Sequence, residues 1–149
     1  MESLGAKIVT PEEVAKIRHT LGRLVTVSGG FDPVHPGHLS YLIEAKKLGD
    51  TLAVIVNGDW FLTAKKGKPF QNLETRCQIL SAIRGVDFVV PFEIKNDMSV
   101  SRALEVIKPH VFANGGDRKQ KDSIAEGEVC QKYNIKMVTG VGLDKQWSS

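Results

Sequence analysis

Short apolar runs recur along the chain, and the stretches between them carry apolar residues at helical spacing. The runs are 24–28 (LVTVS), 52–57 (LAVIVN), 87–91 (DFVVP), 111–114 (VFAN) and 135–139 (IKMVT). Near-continuous Val, Ile and Leu content predicts strands covered on both faces, as in a parallel sheet. Between them, Leu39/Leu42/Ile43, Cys77/Leu80/Ile83 and Val100/Ala103/Leu104/Ile107 each mark one face of a helix. A weaker helical pattern covers 123–133 and is interrupted by Gly127. Ahead of the first run, TPEEVAKIRHTLG predicts a helix over 10–22. Thr10 caps it, Pro11 suits its first position, Glu13 completes a capping box and Gly22 stops it. Val14, Ile17 and Leu21 are expected to share its buried face.

Strands alternating with crossover helices predict an α/β fold: a Rossmann-like, doubly wound, parallel five-stranded sheet with helices on both faces. No repeat, low-complexity tract or linker divides the sequence, so 1–149 reads as one domain, with helix 10–22 preceding the first strand. Such sheets bind ligands beyond the carboxyl ends of their strands. The segments there are GGFDPVHPGH, NGDW, PFEIKND, NGGDRK and GVGLDKQWSS. Four of these five are rich in Gly, Asp or Asn, as a polar ligand crevice requires.

Composition narrows the choice. Apolar residues at 42% and charged residues at 25% suit an ordinary globular chain of this size. The charge of +3 comes from 20 basic against 17 acidic residues, and aromatics are not interleaved with the basic ones. That argues against a nucleic-acid surface. Neither a membrane-length apolar span nor a signal peptide is visible, which points to a cytoplasmic protein. Cys77 and Cys130 lack metal-type spacing and read as reduced core thiols. Lys65, Lys66 and Lys68 cluster as for an anionic ligand, or as an ordinary solvated loop.

The sharpest feature is the pair His35 and His38, separated by Pro36-Gly37 at the start of a helix. A helix start offers free N–H groups and about half a positive charge, a ready phosphate site. Gly29 and Gly30 allow the preceding backbone to turn sharply. Imidazoles there can donate to phosphoryl oxygens as charge develops. Zinc ligation would need companions at suitable spacing, which the sequence lacks. Structural capping of backbone groups by both rings stays open.

GGFDPVHPGH resembles the first signature of the HxGH nucleotidyltransferase superfamily, the cytidylyltransferase-like proteins. The longer stretch GGFDPVHPGHLSYLIEAKKLGDTLAVIVNGD is most similar to adenylyltransferases that make ADP-heptose from heptose 1-phosphate. ETR with Arg76, VDFVVPFE, IKPHVFANGGD and the leading helix extend the likeness over nearly the whole chain.

That resemblance implies transfer of a nucleoside monophosphate, AMP from ATP, to a small phosphorylated acceptor such as a sugar 1-phosphate, with release of pyrophosphate. His35, His38, Lys66 and Arg76 match the family's catalytic positions. Gly30, Phe31, Asp32 and Gly37 match its nucleotide pocket, and Gly115, Gly116 and Asp117 its glycine-rich stretch after the fourth strand. Ser148 and Ser149 stand where the family has its Ser/Thr signature, after which the sequence ends, as a truncated chain would. Asn57, Asp59, Lys65 and Lys68 fall around the acceptor, with the choice of phosphate-contacting lysine among Lys65, Lys66 and Lys68 left open. Arg76 has an ordinary alternative in pairing with Glu74 or lying on an open helix face. The implied cofactor is Mg2+, held through nucleotide phosphates and not directly by the protein. The implied partners are the nucleoside triphosphate and the acceptor, with no nucleic acid or membrane, and a homodimer as in related enzymes. Two departures are Pro33, which is more typical of other adenylyltransferases, and KQW before the serines. A CTP-dependent enzyme acting on a polyol or amino-alcohol phosphate keeps the same chemistry. A nucleotide-binding module without turnover is the alternative of another class.

Overall fold

The computed structural model describes residues 1–97, 99–115 and 121–142, the last without the side chains of 121–123. Its centre is a parallel sheet in which β2 (Leu24–Gly29) pairs on one side with β3 (Thr51–Asn57). On its other side β2 pairs with β5 (Val111–Ala113). The two central strands are long and pair apolar residues on one face, Val25 beside Leu52 and Val27 beside Val54. Beyond β3 lies β4 (Phe88–Phe92), and beyond β5 lies β6 (Lys136–Val138).

One strand was not anticipated. β1 (Lys7–Ile8) pairs in parallel with β4 at Phe88 and Val89, giving six strands in the order β1-β4-β3-β2-β5-β6. The five-stranded expectation is therefore corrected to six. Two residues on a sheet edge leave no apolar run to detect. The leading helix accordingly follows a strand instead of preceding all of them.

Helix α1 (Pro11–Ile17) keeps the anticipated capping box, with Thr10 Oγ1 accepting from Glu13 N–H and Glu13 accepting from Thr10 N–H. It then tightens into a 3-10 turn at Arg18–Thr20, shorter than the expected 10–22. Val14 is buried, but Ile17 is exposed. Helices α2 (Pro36–Lys46) and α4 (Leu73–Ser81) cover one sheet face through Leu42, Ala45, Cys77 and Leu80. The other face carries α1, α5 (Ser101–Ile107) and α6 (Lys121–Lys132) through Val14, Leu104, Ile107 and Cys130. Helix α6 continues through Gly127.

Two further expectations change. Helix α2 buries Tyr41, Leu42 and Ala45 and turns Leu39 and Ile43 to solvent. The segment after β3 is also a helix, α3 (Asp59–Lys66), so Lys65 and Lys66 lie in a last helical turn and not in a loop. Strand order reverses between β2 and β5, because the chain runs outward through β3 and β4 and then returns. The ligand crevice of such sheets opens there.

Candidate functional site

Between β2 and α2 the chain makes a tight turn at Gly30 to His35. Phe31 takes a left-handed conformation at φ 53° and is buried, its ring against Gly29. An added Cβ at Gly30 would come within 2.8 Å of Leu62, so a bare backbone fits best there. Helix α2 then starts with two imidazoles as its caps. His35 Nδ1 accepts from Gly37 N–H at 3.1 Å, and His38 Nδ1 accepts from His35 N–H at 3.2 Å. The rings stack with centroids 3.8 Å apart, and His38 meets Phe31 edge-on at 5.0 Å.

This capping has a chemical consequence. A neutral imidazole carries one N–H, and a nitrogen that accepts cannot hold it. Both Nδ1 atoms accept, so both protons sit on Nε2. Burial, and then the neighbouring His35 ring, push the His38 pKa down to about 4, so its ring stays neutral near pH 7. His35 Nε2 is buried and meets no partner among the described residues. An orphaned buried donor is costly unless a ligand meets it.

Arg76, matched to a catalytic position, is enclosed, with 0% of its surface exposed. Its Nη1 donates to Gly30 O at 2.8 Å and Asn57 O at 2.6 Å, its Nε to Gln71 O at 3.0 Å, and its Nη2 to Asp59 Oδ1 at 2.8 Å. One side chain thus joins the turn after β2, the end of β3, the start of α3 and the approach to α4. Neither Glu74 nor an open helix face is its setting. Asn57 is buried, and Asp59 is held by this pair.

Asp32 also faces the protein. Its carboxylate, 2% exposed, accepts from Phe70 N–H at 2.6 Å and Gln71 N–H at 2.7 Å, and lies 2.9 Å from Lys66 Nζ. Burial acts to raise its pKa, but the hydrogen bonds and charge of Lys66 and the two amides prevail and lower it. Lys66 also donates to Asp32 O at 3.0 Å. Lys65 lies over the Phe61 ring at 5.5 Å, and Lys68 is exposed. Gly115 follows β5, and an added Cβ there would lie 3.9 Å from Tyr41. Gly116, Asp117, Ser148 and Ser149 lie outside the described residues.

Three site-building residues gave no sequence signal. Glu93 Oε1, at the end of β4, accepts from Trp60 N–H at 2.6 Å and Phe61 N–H at 3.3 Å, capping α3 where Gly58 has no side chain. Tyr41 donates to Ala113 O and accepts from Ser28 N–H, tying α2 to the ends of β2 and β5. Gln71 Oε1 is buried and, like His35 Nε2, meets no partner among the described residues. Only the regularity of αβ packing hinted at any of them.

A parallel sheet with a capped helix start at its switch point is a nucleotide-binding architecture. The chain belongs to the cytidylyltransferase-like family, whose model matches residues 26–140. Among curated relatives it is similar to the bifunctional protein HldE of Aliarcobacter butzleri, 36% identical over 139 residues, or 89% of this chain and 29% of that protein. HldE of Chromohalobacter salexigens is 39% identical over 123 residues, 81% of this chain and 25% of that protein. The chain thus spans under a third of the length of these relatives. A solved lipopolysaccharide core biosynthesis protein from Thermoplasma volcanium superposes with a TM-score of 0.69 at 29% identity, over 83% of this chain and 99% of that one. Pantoate-beta-alanine ligase from Francisella tularensis shares the fold, with a TM-score of 0.64 at 17% identity over 97% of this chain and 74% of that one.

Proposed function

We propose that the chain is a nucleotidyltransferase that moves AMP from ATP onto a small sugar 1-phosphate of the heptose 1-phosphate kind. An acceptor phosphate oxygen attacks the α-phosphorus in line, the bond from that phosphorus to the bridging oxygen breaks, and pyrophosphate leaves with the charge. No covalent link to the protein forms, so positioning and charge stabilisation supply the rate. The observation that carries this reading is the stacked pair His35 and His38, whose Nε2–H groups are left as donors beside the α2 start.

Both rings act as hydrogen-bond donors to phosphoryl oxygens through Nε2. The backbone amides at the helix start add a fixed positive potential. Lys66 supplies the mobile charge, and Arg76 acts through the segments it joins. Mg2+ accompanies the triphosphate. The sugar 1-phosphate acceptor and the choice of ATP rest on the likeness to the HldE relatives and the lipopolysaccharide core protein.

The test is pyrophosphate release from each nucleoside triphosphate against a panel of phosphorylated acceptors. Turnover with ATP and a sugar 1-phosphate is expected. Exclusive use of CTP, or tight nucleotide binding without any turnover, would overturn the reading.

A further inference from the structure

Asp32 sits in the signature turn, yet its carboxylate is turned away from open space. It receives two consecutive backbone amides, Phe70 and Gln71, and only then the Lys66 ammonium. The Asp32 side chain is 2% exposed, whereas that of Lys66 is 40% exposed. Arg76 grips the same segment from behind, through Gln71 O, and the same turn, through Gly30 O. A buried carboxylate that loses its last partner becomes costly. Here, if Lys66 leaves, two charge-assisted amide bonds still hold the carboxylate.

We propose that Asp32 is a positioning residue: it latches segment 66–71 against the signature turn and surrenders only Lys66 when a triphosphate arrives. The segment carries Lys66 and Lys68 along the site, so its placement sets where positive charge meets the leaving pyrophosphate. The release of Lys66 rests on the nucleotidyltransferase reading; the latch itself does not.

The experiment compares wild type, Asp32→Asn and Lys66→Met under limited trypsin digestion and in pyrophosphate-release kinetics. The asparagine nitrogen cannot accept, so one amide bond and the ion pair are lost. Cleavage after Lys65 and Lys66 is expected to quicken roughly tenfold with the melting temperature retained, since proteolysis follows local opening. The kcat should fall roughly tenfold with no rise in nucleotide KM, because Lys66 is misplaced but freed of its competitor. Unchanged cleavage, or a raised nucleotide KM as for a direct ligand of nucleotide or metal, overturns the proposal. Lys66→Met keeps both amide bonds, so cleavage after Lys65 should match wild type; acceleration equal to that of Asp32→Asn would assign the latch to the ion pair and overturn it. If Asp32→Asn does not fold, amide exchange in wild type decides. Phe70 and Gln71 should exchange at least about tenfold more slowly than in an unstructured peptide, and free exchange at both overturns the latch. These arms need no substrate, so a wild type without turnover would remove the functional reading while the latch is judged separately.

Discussion

His38 lends its Nδ1 to the His35 N–H and stacks on the His35 ring, so its role divides into a structural part and a chemical one. Under the proposed transfer its Nε2–H would meet charge that grows as the transition state forms, so His38→Ala should lower kcat about a hundredfold with little change in nucleotide affinity. Equal losses in both would contradict the role. The tautomer is directly observable: nitrogen NMR should find the proton on Nε2 of both His35 and His38, since each Nδ1 accepts a backbone N–H. The same ring links to stability. The pKa of His38 in the fold is about 4, against 6.5 unfolded, so folding favours the neutral form. That contribution is complete above about pH 6.5 and is lost as pH falls towards 4. His110 adds in the same direction: its Nδ1 accepts from Leu24 N–H, and burial, then Arg18 and Arg23, lower its pKa. Urea midpoints should therefore drop between about pH 7 and pH 4.5. In His38→Gln, where a glutamine at the third helical position can still cap, the drop should be smaller.

Among the elements, α3 depends on help from outside itself. Its N-terminal amides rely on Glu93, whose carboxylate occupies the space an added Cβ at Gly58 would take, 2.3 Å from Oε1. Gly58→Ala should push this cap aside and cost about 1 kcal/mol in urea unfolding, as loss of a helix cap does. Arg76→Met should cost more, about 3 kcal/mol or above, because three backbone carbonyls lose a charged donor in a buried joint. These contacts explain which features sequence could reveal. β2 and β3 were legible because their Val/Ile runs are long and enclosed. α3 was not, because in DWFLTAKK only Phe61 and Leu62 are buried. Leu39 and Ile43 matched a helical stripe, yet α2 leans on the sheet through Tyr41, Leu42 and Ala45 one step around. The imidazole pair was visible because its geometry is local, three residues on one helix start. The settings of Arg76 and Asp32 were hidden because their partners lie up to 46 residues away.

Across the whole molecule, the six-stranded order places the first half of the chain, from β2 to β4, on one side of the crevice and β5 with β6 on the other. Alternation of elements revealed the sheet type, whereas the two-residue β1 lay below any pattern. The halves meet at Tyr41. Its hydroxyl is buried between Ser28 N–H and Ala113 O, and an added Cβ at Gly142 would lie 2.9 Å from its Cα. Burial drives the Tyr41 phenol far above its ordinary range, outweighing the Ser28 bond that lowers it, with Glu126 raising it further. The chain holds two tyrosines, Tyr41 and Tyr133. Phenolate absorbance in alkaline titration of the native protein should therefore grow by no more than one tyrosine's worth. The second increment should arrive together with unfolding, making Tyr41 a built-in optical gauge of whether the two sides of the crevice still touch.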